Sequence, residues 1–286
     1  MSGKQRILIT GTSGLIGTAV AKRIAREADL VGLDCRPGPW TSIRGDIVDP
    51  AVAAKAVDGC DAVVHIAGLH APHVRDRSAR DFRMINVKGT DNLLRAAVRS
   101  KVKRFVLTST TSIYGCTSRA GGAAVWVDEN LEPNPEDIYD ETKIEAERLC
   151  GEAAASGLGV AILRVSRCFP EPDGLVPFYR LFRGVDRRDV AEGHWLAATV
   201  PLTGPAVFNL SADPVFRRED AIRLWDDPWS VIDKRAPGIR EIFLQQGWRM
   251  PGRIDRIYDI AKAKIVLGYR PRYGFREAIE DMNLYT

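Results

Sequence analysis

RILITGTSGLIGTAVAKRIARE, residues 6–27, decides how the rest of the chain is read. Five residues dominated by Ile and Leu run into glycines at 11, 14 and 17, and the apolar positions then recur at helical spacing. The order is strand, glycine turn, helix. Such glycines allow a tight turn and a close approach of backbone to a pyrophosphate, and the helix start offers amide donors and a favourable dipole. Gly11, Ser13, Gly14, Leu15, Ile16 and Gly17 are therefore the expected phosphate cradle. The second strand, LVGLD (30–34), ends in Asp34, whose carboxylate can accept from a ribose 2′-hydroxyl and repels a 2′-phosphate. NAD is favoured on that ground. Arg36, two residues on, could meet a 2′-phosphate, so NADP is the less favoured cofactor. The competing reading is a glycine turn with a capping aspartate.

Outward from this stretch, strands and helices alternate. AVAAKAVDG (51–59), INVKGTDNLLRAAVRSK (85–101) and YDETKIEAERLCGEAAAS (139–156) read as helices, and DAVVHIAG (61–68), RFVLTST (104–110) and VAILRVS (160–166) as strands. This alternation predicts an α/β fold, a doubly wound parallel sheet of Rossmann type with helices on both faces. After Ser166 the rhythm breaks. A helix at 185–199 and a strand at 206–211 precede a tail rich in Trp, Pro and Arg, with helices around DIAKAKIVLG and FREAIEDMN. The expected organisation is a nucleotide-binding domain over 1–165 and 185–211. A small substrate lobe takes 166–184 and 212–286.

Composition narrows the partners. The chain has 286 residues, 45% hydrophobic, with a net charge of +4 spread along its length. No basic run is dense enough to point to nucleic acid. No stretch approaches membrane-spanning length, and the first apolar run is too short for a secretory leader. Cys35, Cys60, Cys116, Cys150 and Cys168 are odd in number and lack metal-ligand spacing. The expectation is a cytoplasmic protein without a metal.

YDETK (139–143) sets a tyrosine and a lysine one helical turn apart. An ammonium beside a phenol favours the phenolate, which makes the tyrosine a proton acceptor. The bland reading is a helix-starting Tyr139 and an intrahelical pair of Lys143 with Glu147.

The Gly-x-x-Gly-x-x-Gly spacing, YDETK and RFVLTSTTSIYG together resemble the extended short-chain dehydrogenases/reductases, the NAD-dependent epimerase/dehydratase group. GDI (45–47), HIAG (65–68), NVKGT (86–90) and KAKIVLGYRP (262–271) match further segments in order. The resemblance implies that Asp46 and Ile47 meet the adenine, and that Ile66, Ala67, Gly68, Asn86, Thr108 and Cys168 lie along the cofactor. Cys168 serves there as a small apolar filler rather than a redox group. The resemblance also implies a catalytic set of Thr110, Tyr139 and Lys143, with Ser109 and Thr111 as neighbouring candidates for the hydroxyl. In that set Tyr139 takes the carbinol proton, Lys143 lowers the tyrosine pKa and holds the nicotinamide ribose, and Thr110 binds the substrate oxygen.

Substrate readings rest on departures from the group. Thr111 and Ser112 stand where its dehydratases carry Asp-Glu, which disfavours elimination. Only SRCFPEPDGLVPFYRLFRGV (166–185) fills a gap that is long in nucleotide-sugar epimerases, which suits a compact substrate. RVSRCFPEP resembles the matching stretch of uronate dehydrogenases, although those enzymes use Asn at Thr111 and Ser at Arg167. Arg167, Arg180 and Arg183 either clamp a carboxylate or phosphate or pair with Glu171 or Asp173. His70 and His73 either line the pocket or lie idle. Trp225, Trp229 and Trp248 are expected to pack the small lobe. The reading is an NAD-dependent oxidoreductase on a sugar or sugar-acid carbinol, preferably a dehydrogenase. The alternatives are a nucleotide-sugar epimerase that retains NAD and a non-catalytic NAD-binding regulatory protein. The resemblance further implies a homodimer through the helices at 85–101 and 139–156.

Overall fold

A computed structural model describes residues 4–282 except Ala120, Asp173, Arg249 and Pro251. β1 (Arg6–Thr10) is followed by α1 (Leu15–Ile24), β2 (Asp29–Asp34), β3 (Ile43–Arg44), α2 (Pro50–Val57) and β4 (Ala62–His65). Ile7, Leu8 and Ile9 are fully buried, as are Ala62, Val63 and Val64, because helices cover both faces of a parallel sheet. β1 pairs in parallel with β2 on one side and β4 on the other. The topological switch therefore falls between β1 and β4, where such sheets bind ligands.

The next helical stretch starts earlier than the pattern at 85–101 suggests. α3 (Ala79–Phe82) is capped by Ser78, whose hydroxyl accepts from the Asp81 amide while Asp81 answers the Ser78 amide. The helix widens to a π turn over Arg83–Lys88 and continues as α4 (Gly89–Arg99). That turn carries Asn86 into the interior, where it is 2% exposed. β5 (Arg104–Thr110) leads into 3₁₀ turns over 111–119, then β6 (Val125–Val127), α5 (Ile138–Ala155) and β7 (Gly159–Val165). Asp137 caps α5, accepting from the Asp140 amide at 3.0 Å.

α6 (Leu175–Arg180), α7 (Arg187–Thr199) and β8 (Ala206–Leu210) follow, and the seven-stranded sheet runs β3-β2-β1-β4-β5-β7-β8. The tail forms α8 (Ala221–Asp226), α9 (Pro228–Arg235), α10 (Ile239–Gln245), β9 (Arg256–Tyr258) and α11 (Phe275–Asp281). β9 pairs in parallel with β6 in a separate two-stranded sheet. DIAKAKIVLG holds a π turn, Ala263–Leu267, ended by Gly268 at φ 71°.

The chain divides into two compact units. One comprises residues up to Ile113, Pro135–Arg164 and Val190–Phe208. The other comprises Tyr114–Asn134, Val165–Asp189 and Asn209 onward. The segment at 114–134, assigned by its sequence to the nucleotide-binding domain, groups with the second unit because β6 pairs with β9. The first core gathers Leu8, Leu33, Val63, Leu93, Phe105 and Ile162. The second gathers Phe178, Phe182, Trp229, Phe243 and Ile257.

Candidate active site

The glycine loop is dictated by close approach. Gly11 sits at φ 78° and donates to the Leu33 carbonyl at 2.8 Å; a Cβ there would lie 2.8 Å from the Ala67 nitrogen. A Cβ on Gly17 would lie 1.9 Å from the Gly11 oxygen. Gly14 is the N-cap of α1 and carries no side-chain cap, so the first-turn amides around Leu15 and Ile16 remain donors for an anion. The residues fit a pyrophosphate.

Asp34 caps the glycine loop. Its buried carboxylate accepts from the Ser13 and Arg36 amides, each at 2.8 Å, which clasps the loop to the end of β2. A carboxylate has about four lone-pair sites, so acceptors remain for a ribose hydroxyl. The Arg36 guanidinium is 67% exposed and 3.9 Å from Asp34. Asp46 is exposed and accepts from the Val48 amide at 2.9 Å; Ile47 is buried. Asn92, which the sequence reading missed, holds the Ile47 and Val48 carbonyls at 3.1 and 2.8 Å. The Ile66 and Ala67 amides each donate to the Thr10 hydroxyl at 3.1 Å. A Cβ on Gly68 would lie 2.9 Å from Asn86 Oδ1.

β5 and α5 bring Thr110, Tyr139 and Lys143 into the same unit, all buried. Burial pushes the Tyr139 phenol up to about 12; a hydrogen bond from Thr110 pulls it down, and Asp140 and Asp137 push it up. Thr110 Oγ1 accepts from the Ser112 amide at 3.1 Å, which leaves its proton for the phenol. Burial lowers Lys143 to about 8, opposed by the charge of Glu147. Its Nζ donates to the Thr108 carbonyl at 2.5 Å. One Lys143 N–H is engaged there, and desolvation is the largest influence on the phenol.

Glu147 pairs across to β7 rather than with Lys143 along its helix. Its carboxylate accepts from Arg164 at 3.1 and 2.8 Å and from Ser109 at 2.5 Å, all largely buried. Ser109 is thereby engaged behind the site, and Thr111 is buried beside it. The Thr108 hydroxyl meets His194 Nε2 at 2.8 Å, and His194 Nδ1 meets the Val190 carbonyl at 2.7 Å. Asp140 is 1% exposed; burial raises it to about 6 against a hydrogen bond from Ser112, and its Oδ2 accepts from the Glu136 amide. His70 and His73 are half-buried and pack edge to face at 4.3 Å, the His70 amide donating to His73 Nδ1. Burial lowers His70 to about 4.

The other candidates belong to the second unit. Arg167 pairs with Glu171 and lies over the Phe169 and Tyr179 rings. Arg180 pairs with Asp186 at 3.2 Å, and Arg183 stacks 4.3 Å from the Tyr179 centroid. Asp173 lies outside the described residues. Burial pushes the Cys168 thiol up to about 12, as suits a filler. Trp229 and Trp248 pack on Phe243 at 5.4 and 5.2 Å, and Trp225 carries Arg253 at 4.5 Å.

The sequence profile of the NAD dependent epimerase/dehydratase family matches residues 7–173, more than half of the chain. The chain belongs to that family. Within it, a 3 beta-hydroxysteroid dehydrogenase/Delta 5-->4-isomerase of Mycobacterium tuberculosis is 28% identical over 96% of this chain and 89% of its own length. The solved structure of MoeE5 with UDP-glucose and NAD is 25% identical, with a TM-score of 0.71 over 97% of this chain and 98% of that one. A mutated uronate dehydrogenase shares the fold at 19% identity, with a TM-score of 0.71 over 98% of this chain and 86% of that one. This epimerase/dehydratase-family chain is an oxidoreductase with a Rossmann-like sheet. Among the described residues, no helix is long and apolar enough to cross a membrane.

Proposed function

We propose that this chain is an NAD-dependent dehydrogenase that oxidises a secondary carbinol of a compact, non-nucleotide substrate, foremost a sugar or sugar acid. The observation that carries the reading is the buried set on β5 and α5, in which Thr110 hydrogen-bonds the Tyr139 phenol and Lys143 is fixed one turn along. Gly11, Gly14 and Gly17 would receive the pyrophosphate and Asp34 the adenosine ribose. The nicotinamide, when bound, supplies the hydride acceptor. Tyr139 accepts the carbinol proton, and the hydroxyl of Thr110 steadies the oxygen that loses it. Burial favours the protonated phenol, and cationic charge beside it favours the phenolate that accepts the proton. The hydroxysteroid dehydrogenase, similar along nearly the whole chain, supports oxidation of a carbinol that carries no nucleotide. The short stretch at 166–185 supports a compact substrate.

A second reading, a nucleotide-sugar epimerase with retained NAD, is favoured by the likeness to MoeE5 in complex with UDP-glucose and NAD. One experiment separates them. Cofactor released from denatured protein is assayed, and NADH formation is then followed with NAD and hexuronates, aldoses and a 3β-hydroxysteroid. NADH accumulating with one of these from cofactor-free protein is the expected result. Retained NAD and no net NADH on any of them would replace the dehydrogenase with the epimerase.

A further inference from the structure

His65 closes β4, is 2% exposed, and uses both ring nitrogens. The directions of its hydrogen bonds follow from counting protons. A threonine hydroxyl has one proton to give and two lone pairs to receive with. Thr90 Oγ1 lies 2.6 Å from the Asn86 carbonyl, which can only accept, so its proton goes there. The 2.9 Å contact between Thr90 and His65 Nε2 must then be a donation from Nε2–H. Nδ1 is left bare, and it accepts from the Thr10 hydroxyl at 2.8 Å. The Thr10 oxygen fills its two lone pairs with the Ile66 and Ala67 amides, both at 3.1 Å.

The run continues past Asn86. Its side-chain Nδ2 donates to the Leu69 carbonyl at 3.0 Å and to Thr142 Oγ1 at 3.1 Å, while its Oδ1 accepts from the Leu69 amide at 2.8 Å. The Thr142 hydroxyl then donates to the Tyr139 carbonyl at 3.0 Å. One end of this run is the turn at Ile66–Gly68, and the other is the first turn of α5.

We infer that His65 is a positioning residue: as a neutral imidazole in its Nε2–H form, it ties the turn beside the nicotinamide to the backbone of Tyr139. The inference rests on the proposed function in taking that turn as the cofactor side and Tyr139 as the base. A second ring proton would meet the Thr10 oxygen with no lone pair to spare. Burial and the nearby Lys143 charge, which hold the ring down to about 3, act in the same direction. The Phe105 ring, 6.0 Å away edge-on, adds no acceptor.

The test uses the full chain and NAD as the probe. Thr90→Val keeps the side-chain outline and severs the run, whereas Thr90→Ser keeps the hydroxyl. Thr90→Val is expected to weaken NAD binding about tenfold, and Thr90→Ser to stay within about twofold of the parent, the order of one internal hydrogen bond. Equal dissociation constants for the two variants would overturn the inference. A second measurement needs no substitution: ¹⁵N spectra of the four imidazoles, with His65 assigned through its contact to Phe105. His65 should show a protonated Nε2 and a bare Nδ1, unchanged from pH 5.5 to 8.5. His194, whose Nδ1 faces a carbonyl, should show the opposite form. A protonated Nδ1 on His65, or titration in that range, overturns the inference even where Thr90→Val does not fold. A parent chain that fails to bind NAD removes the functional reading and this inference with it. A parent that binds NAD no better than Thr90→Val removes the inference alone.

Discussion

The first unit is marked by a run of buried hydrogen bonds, and the second by arginines stacked on rings, some of them exposed. In the first, Thr10, His65, Asn86, Thr90, Thr142, Glu147 and Arg164 interlock through directed hydrogen bonds, each donor matched to an acceptor. In the second, arginines lie across aromatic faces: Arg183 over Tyr179 at 4.3 Å, Arg188 over Tyr273 at 3.6 Å and Arg253 over Trp225 at 4.5 Å. Hydrogen bonds fix position and angle, whereas stacking tolerates rotation and sliding.

The hardest blow to the first unit leaves its fold standing. Tyr139→Phe should cut turnover by about 10²–10⁴-fold while the thermal midpoint moves by only a few degrees, since no buried charge is created. A variant with undiminished turnover would free Tyr139 from the role of base. Next comes Glu147→Leu, which strands Arg164 as a buried cation and should cost about 3–5 kcal/mol in urea unfolding. Arg188→Ala is its counterpart in the second unit: the half-exposed Arg188 bridges Asp186 and Asp281, and its loss should cost less than about 1 kcal/mol. Equal costs for the two would erase the contrast between the units.

Phe243, at the centre of the ring cluster, sharpens the comparison. Phe243→Ala should cost about 3–5 kcal/mol, and Phe243→Leu, where the surrounding rings can shift, about half of that. If leucine proved as damaging as alanine, the second unit would be as exacting as the first.

Asp140→Asn has an expected effect of defined sign. The folded chain raises this carboxyl from the ordinary 3.8 to about 6. Between those values the folded state binds more protons than the unfolded one, so stability falls as pH rises, and above pH 6 the buried carboxylate is carried at a cost. Asparagine should therefore stabilise the chain by about 1–2 kcal/mol at pH 8 and by almost nothing near pH 4. It should also ease ionisation of Tyr139, moving the rise of turnover with pH to lower pH. A gain that is the same at both pH values would show that Asp140 is not carrying the charge.

The parts legible in the sequence are those whose chemistry is local. The glycine loop and the Tyr139–Lys143 pair each sit in one short stretch, so spacing offers them as candidates that the resemblance then supports. The His65 run joins residues 55 and 25 positions apart, and the Asn86–Thr142 bond spans 56. No local pattern marks such partners. The carbonyl that accepts from Lys143 belongs to backbone, which leaves no trace in side-chain identity. β3, β6 and β9 are two or three residues long, and α8 to α10 have six to eight, too short for either period to emerge.

The clasp at Asp34 constrains how this chain could change its cofactor. Its two oxygens accept from the Ser13 and Arg36 amides at 2.8 Å, so the residue proposed to meet the ribose also staples the loop. A swap to glycine or alanine, made to admit a 2′-phosphate, would orphan both amides and slacken the turn that grips the pyrophosphate. Selectivity and grip are inherited together. A redesign toward the phosphorylated nucleotide would have to furnish a neutral acceptor for those amides before it added any arginine.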